Sequence, residues 1–336
     1  LGIGSMKFQT VEQVFEAFNK LKVLIIGDVM VDAYDWGKVE RISPEAPVPV
    51  VNILRRENRL GGAANVALNI QALGAKPILC SVIGNDLDGF DFLKILDDSH
   101  MTNEGIVRSN SRVTTTKRRV LAGSQHLLRI DNETDALLNE TDKKALMENI
   151  AVLVKKVDVV IFEDYDKGVI SEDIIQETVK ICKANNVPVT VDPKKRNFLA
   201  YKGVNLFKPN LKELKEGLKV DFNADKIAEI KSTVDILHTK LDAENYFITL
   251  SERGVYIQSR ADSNHIPAHI REISDVSGAG DTVISTASLC LALGLPNKLL
   301  AELANLSGGL VCEHVGVVPI NKDKLLSEAK RLKLMP

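Results

Sequence analysis

The chain has 336 residues, 45% of them hydrophobic and 26% charged, a balance that suits a globular protein with a substantial buried core. Its 43 Lys and Arg residues against 45 Asp and Glu leave a formal net charge of −2, so the overall field draws it to neither nucleic acid nor an anionic membrane. No apolar run has the length of a bilayer span and no secretory signal is visible, so the cytoplasm is the expected compartment. Cys80, Cys182, Cys290 and Cys312 lie far apart in apolar or helical patterns, which fits reduced core thiols better than a zinc site or a disulfide framework. Residues 1–5 precede Met6 and are expected to lie outside the fold.

The first expected element is an amphipathic helix at 10–20, followed by a short apolar run at 23–27 that ends in Gly-Asp, as a buried parallel strand does. Strand-like runs recur at 78–83, 157–162, 187–191, 204–207 and 246–250. Helical patterns at 63–73, 87–96, 142–155, 172–185, 224–241 and 283–293 mostly alternate with them. This α/β rhythm predicts a doubly wound, mostly parallel sheet with helices on both faces. Two stretches break it. Residues 33–56 carry Pro44, Pro47 and Pro49 among β-branched residues, and 104–131 alternate side chains with no helix between strands. Together they are expected to form a small, discontinuous β-sheet lid on one main domain spanning 6–336.

Chemistry concentrates in Asp275-Val276-Ser277-Gly278-Ala279-Gly280-Asp281-Thr282. Gly278, Ala279 and Gly280 let backbone N–H groups converge at the start of the 283–293 helix, a place that attracts phosphate. Asp281 stands beside that anion cradle, where a carboxylate has a use as the base for a hydroxyl that attacks phosphate. The plainer account is an Asp that caps the helix and glycines that ease a tight turn.

Ligands of open α/β sheets gather beyond the carboxyl ends of the strands, and polar residues recur there: Asp28 and Asp32, Asp164 and Lys167, Asp192 and Lys194, Asn210 and Glu213, Thr249 and Ser251. Gly61 and Gly62 open a helix that carries Asn65, a donor and acceptor suited to a polyol, although a Gly turn with a capping Asn has the same sequence. Asn210 and Glu213, three apart, either hold waters around a phosphate-bound Mg²⁺ or form a capping box. Lys117 and Arg119 share one face of a lid strand and can reach a substrate phosphate, while Arg118 points away; Arg41, Lys167 and Lys194 are rival partners for it. The six histidines show no metal spacing.

Gly61-Gly62-Ala63-Ala64-Asn65 and the 275–282 segment resemble the two signatures of the ribokinase-like, or PfkB-type, carbohydrate kinases, and the resemblance covers residues 21–326. It implies a ribokinase-like fold, ATP as phosphoryl donor, Mg²⁺, a monovalent cation such as K⁺ near Asp275, and a β-lid that pairs two subunits into a homodimer. It implies Asp281 as base, a Gly278–Gly280 anion hole, and a sugar held by Asp28, Asp32, Gly61, Gly62 and Asn65. Lys117, Arg119, Asp164 and Lys167 fall on the substrate side; Lys194, Thr249, Ser251, Gly254 and Asn305 fall on the nucleotide side. The runs 41–50, 164–168 and 192–194 are similar to the family's heptose 7-phosphate kinases, which act at C1 in ADP-heptose synthesis. Many of those carry a nucleotidyltransferase-like domain after the kinase; this chain stops at Pro336, which implies the bisphosphate as product. Glu163, where a small residue is common, and Ser307-Gly308-Gly309, where an Ala-rich run is common, depart from the pattern. A kinase for another sugar or a nucleoside, and a silent sugar-binding protein, remain the alternatives. A dinucleotide-binding dehydrogenase fits less well, because Asp28-Val29-Met30 follows the first strand in place of a Gly-rich turn.

Overall fold

A computed structural model describes residues 8–123, 125–269 and 273–335, and the expectation for residues 1–5 lies outside them. The first part of the chain runs α1 (Val11–Phe18), β1 (Lys22–Gly27), β2 (Val29–Ile42), β3 (Pro49–Gly62), α2 (Ala63–Ala72), β4 (Lys76–Gly84) and α3 (Leu87–Asp98). Next come β5 (Gly105–Ser109), β6 (Thr116–Ala122), β7 (Gln125–Asn132), α4 (Glu140–Leu153), β8 (Val159–Glu163), α5 (Glu172–Ala184) and β9 (Val189–Asp192). The remainder is β10 (Leu206–Phe207), α6 (Leu211–Leu218), α7 (Ile227–Leu241), β11 (Asn245–Thr249), β12 (Val255–Ser259), β13 (Ser263–Ile266), α8 (Ala279–Ala292), α9 (Asn297–Val311) and α10 (Lys322–Arg331).

The large sheet has nine strands in the order β13-β12-β11-β10-β9-β8-β1-β4-β5, parallel from β11 across to β5 and antiparallel at the β12–β13 end. Its centre shows why the sequence folds this way. Along β1, Val23 and Ile25 enter one apolar layer with α1, α2, α8 and α9, while Leu24 and Ile26 enter the other with α4, α5 and α7. Successive side chains of a strand point to opposite faces, so an uninterrupted apolar run is what a sheet covered on both sides needs. Each fully buried Ile contributes about 1.5–3 kcal/mol relative to exposure.

The second sheet has four strands in the order β3-β2-β6-β7, and it draws on both stretches that broke the α/β rhythm. One boundary differs from expectation. Gly105–Ser109 pairs in parallel with β4 at the edge of the large sheet, with Ile106 packed on one apolar layer and Val107 on the other. A strand that buries both faces belongs between helix layers, so only 116–132 of the later stretch enters the small sheet. The β2–β3 ladder runs down to the pair Val29–Gly62, which seats the base of the small sheet against β1 and the start of α2.

Candidate active site

The site is built where the strand ends align. Parallel register sets Gly27 beside Glu163 and Glu163 beside Asp192, and β10 then delivers Lys208 next to Asp192. Across from these ends, α8 begins at Gly278, whose φ of +76° is the left-handed conformation that glycine adopts without strain. Asp281 follows in the first turn and is buried at 8% exposure.

Two side chains hold the Asp281 carboxylate. The Asn65 amide donates to Oδ2 at 2.5 Å and the Tyr165 hydroxyl donates to Oδ1 at 3.0 Å. Burial pushes its pKa up to about 6; the Asn65 hydrogen bond opposes this, nearby Asp192 adds to it, and Tyr165 and Lys208 oppose it. The result is a carboxylate poised near neutral pH, as proton abstraction from a hydroxyl requires. Asn69, one turn beyond Asn65, accepts from Thr282 Oγ1 at 3.0 Å and from the Ile320 amide at 3.0 Å, which locks α2 to the start of α8.

Glu163, Asp192 and Asp281 bring carboxylate oxygens within 4.8 Å of one another, all three residues being buried. Asp192 is compensated: Lys208 Nζ lies 2.8 Å from Oδ2, and Lys194 Nζ lies 3.8 Å from Oδ1. Burial works against the Lys208 charge, but Asp192, Glu213 and Glu163 outweigh it and raise its pKa. Among the described residues Glu163 has no ion-pair partner. Its Oε2 is buried without a hydrogen bond, and burial, then Asp192 and Asp281, raise its pKa well above the carboxylate range. Oxygen donors with an unsatisfied buried carboxylate among them fit a hard divalent cation such as Mg²⁺. Gly280 faces the same pair of charges, since a Cβ there would stand 3.7 Å from Asp192 Oδ2 and 3.8 Å from Lys208 Nζ.

Several residues expected to touch sugar do internal work instead. Asp28, 1% exposed, accepts from the backbone N–H groups of Tyr165, Lys167 and Val169 at 3.0, 3.1 and 3.0 Å. Burial and then Asp164 lift its pKa to about 6 despite those donors, so it shapes the loop that presents Tyr165 and has no free face for a ligand. Asp164, also 1% exposed, accepts from Tyr201 Oη at 2.7 Å, Asn197 Nδ2 at 3.0 Å and the Asp166 amide at 2.9 Å. It too positions the loop. Gly62 is required by its left-handed φ of +60° and by the Asp28 backbone carbonyl that a Cβ would strike, while a Cβ at Gly61 would press on the Asp32 carboxylate and the Met30 side chain.

Asp32 and Arg119 pair at 2.6 Å on one face of the small sheet, and the Tyr34 ring lies under both Arg119 and Arg59. Arg118 turns to the other face and pairs with Asp35, as strand alternation expects. Lys117 shares the Arg119 face and, with Lys167, closes on Glu133. Arg41 lies exposed near the far end of β2, away from these groups.

On the other side of Asp281 a cavity of about 980 Å³ gathers Lys194, Asn210, Thr249, Ser251, Gly254 and Asn305, and its walls include Ile273, Val276 and Val283. A lining that combines these polar groups with apolar walls suits a nucleotide. Asn210 and Glu213 form both halves of a capping box on α6, and Lys194 takes the remaining Glu213 oxygen at 2.6 Å. Their spacing is therefore accounted for by the helix start, and the free carboxylate oxygen for a cation lies at Glu163. Asp275 accepts from the Ser277 and Gly316 amides at 2.9 and 3.0 Å, which holds its pKa below the usual value. Tyr165 and Lys208 escaped the sequence reading as site residues. Lys208 carries the same signal as the others, a polar residue directly after an apolar strand; Tyr165 carries none apart from its neighbours.

The family model described as pfkB family carbohydrate kinase matches residues 20–324. The chain is 41% identical over 307 residues to the bifunctional protein HldE of Methylobacillus flagellatus, covering 91% of this chain and 62% of that one. It is 36% identical over 316 residues to the HldE of Syntrophotalea carbinolica, covering 94% of this chain and 64% of that protein. Its fold is that of phosphofructokinase-2 from Escherichia coli, solved in complex with potassium, at a TM-score of 0.75 and 15% identity over 93% of this chain and 99% of that one. Among the described residues no helix is long and apolar enough to cross a membrane. With the family matched across nearly its whole length, this chain is a phosphotransferase that belongs to the pfkB family of carbohydrate kinases.

Proposed function

We propose that the chain transfers the γ-phosphoryl group of ATP to the C1 hydroxyl of D-glycero-β-D-manno-heptose 7-phosphate, giving the 1,7-bisphosphate. The observation that carries the transfer is the buried Asp281, held by Asn65 and Tyr165 at the mouth of the α8 N-terminus. The likeness to the HldE proteins supports a heptose as acceptor. Asp281 takes the hydroxyl proton as the oxygen attacks phosphorus. The amides that open α8 and the ammonium groups of Lys208 and Lys194 face the charge that spreads over the transferring group. Tyr165 orients Asp281, and its ring also lies 5.6 Å from Lys194 Nζ. A divalent cation held by Glu163 and Asp192 would supply further positive charge at the phosphates. A monovalent cation, K⁺, is proposed beside Asp275. Lys117 and Lys167 are proposed to bind the 7-phosphate, and Asp32, Arg119 and Asn65 to line the sugar.

The small sheet is proposed to act as a lid and as the contact between two copies of the chain. Ile42, Leu54, Leu128 and Ile130 on its strands are 49–67% exposed, an apolar surface that a second copy would cover. Light scattering of L54K, expected to be monomeric beside a dimeric parent, checks this contact. The reaction itself is tested by ADP release with heptose 7-phosphate, fructose 6-phosphate and ribose in parallel, with phosphorus NMR locating the new ester. Faster turnover of fructose 6-phosphate than of the heptose would overturn the heptose reading.

A further inference from the structure

Lys117 and Lys167 reach a common point from different parts of the chain, one from β6 and the other from the loop after β8, and that point is taken by Glu133. Its two oxygens divide between them: Oε2 lies 2.9 Å from Lys117 Nζ and Oε1 lies 2.7 Å from Lys167 Nζ. Asp131 adds a second contact to Lys117 at 3.0 Å, whereas among the described residues Glu133 is the one ion-pair partner of Lys167. The three side chains are 18–27% exposed, so the cluster is sheltered and still open to a ligand. Arg112 Nη2 donates to the Lys167 backbone carbonyl at 2.7 Å, which fixes the loop that carries this lysine. The lysine pairs outweigh burial and hold the Glu133 carboxyl below its ordinary pKa, so this is a charged latch.

A carboxylate that bridges two ammonium groups through separate oxygens has the shape of a phosphate bound to the same groups. We propose that Glu133 occupies the place that the acceptor's own phosphate takes between Lys117 and Lys167, and thereby competes with phosphorylated acceptors for the two lysines. The inference rests on the reading that these two lysines bind the acceptor phosphate. Glu133 follows directly on β7, and residues 133–139 carry no regular secondary structure, so the carboxylate can withdraw without breaking the sheet. A phosphate ester near neutral pH carries a charge of about −1.5 to −2, enough to displace a singly charged carboxylate. A neutral hydroxyl has no such leverage and leaves the latch closed.

The test uses E133Q, E133D and K117A in the full chain, with KM for heptose 7-phosphate and for the unphosphorylated heptose, and inhibition by inorganic phosphate. An amide cannot pair with both lysines, and Asp is one methylene too short to span them. Both Glu133 variants should lower KM for the phosphorylated sugar about three- to tenfold, strengthen phosphate inhibition by a similar factor, and leave the unphosphorylated sugar unchanged. K117A should raise KM for the phosphorylated sugar alone. If K117A affects both sugars equally, the lysine reading fails. If K117A is selective but the Glu133 variants leave KM and phosphate inhibition unmoved, or raise KM, the latch is refuted and Glu133 is only a brace for the loop. Should E133Q fail to fold, E133D carries the same decision.

Discussion

Replacing Asp281 by Asn separates the role of base from every structural role that the residue has. The carboxylate accepts from Asn65 Nδ2 and Tyr165 Oη, and an amide of equal size keeps one of those bonds through its carbonyl. Its new NH₂ group also has an acceptor at hand, because Asn65 Oδ1 is buried without a partner and an amide rotation presents it. The substitution further relieves a buried charge. A rise from 3.8 to about 6 corresponds to roughly 3 kcal/mol against the ionised form, at about 1.36 kcal/mol for each pKa unit. The folded-state pKa of this acid is raised, so its cost to stability is full above about pH 6 and vanishes below about pH 4. D281N should therefore unfold at or above the parent's temperature at pH 7.5, with the difference shrinking toward pH 4. Turnover should instead fall by about a hundredfold to ten-thousandfold, or roughly 3–5 kcal/mol of barrier, with ATP binding kept. In the parent, kcat/KM should drop about tenfold for each pH unit below about 6. ADP release, ATP titration and thermal unfolding across pH measure all of this. Turnover of D281N within about fivefold of the parent, or a parent rate that stays flat from pH 7 to pH 5, would refute Asp281 as the base.

Tyr165→Phe removes the hydrogen bond that steadies the Asp281 charge, so the acidic limb of the rate profile should move up by about one pH unit, as a bond of about 1.5 kcal/mol to a charged group implies. A limb that stays in place rejects that coupling. Asp28→Ala leaves three buried N–H groups without an acceptor, and urea unfolding should show a loss of roughly 3 kcal/mol together with slower turnover; unchanged stability would mean that the 165–169 loop is held by something else. Gly278→Ala places a Cβ 3.0 Å from Val317 Cγ1 in a left-handed conformation, which should cost about 1–2 kcal/mol and slow turnover more than it raises KM for the sugar. The reverse split, with KM moving alone, would argue against an anion hole at this turn.

The α/β sheet is visible in the sequence because β1, β4 and β8 are almost wholly apolar runs, and only a sheet covered on both faces needs such strands. The β12–β13 hairpin stayed hidden, since Ser263–Ile266 is short, polar and half exposed and owes its conformation to pairing with β12. Gly105–Ser109 does not announce its sheet, because five residues carry no record of what covers them; the packing of Ile106 and Val107 on opposite layers exists only in the fold. The same limit applies to the site. Asp28, Asp164 and Asp281 are all acidic residues after or near apolar runs, yet two of them are saturated by backbone, Tyr or Asn donors and one faces the crevice. Sequence position brings a carboxylate to the sheet edge, and the donors that surround it decide whether it braces or reacts.

That distinction explains how the molecule tolerates so many acids in one corner. Isolated buried carboxylates are costly, and each of these is stabilised in a different way. Asp28 spends its charge on three amides, Asp164 on Tyr201 and Asn197, and Asp192 on two lysines, which makes all three part of the frame. Asp281 has two neutral donors, enough to orient it, while burial keeps its pKa raised to about 6, as it does for Asp28. Glu163 has none. The compensation is thus graded from the loop behind the strands toward the crevice, and it runs out where phosphate, cation and hydroxyl would meet. On the proposed function, a divalent cation held with the anionic phosphates of the donor would supply the positive charge that Glu163 and Asp281 lack, which would tie binding of the donor to the state of the base through the same few ångströms of buried oxygen.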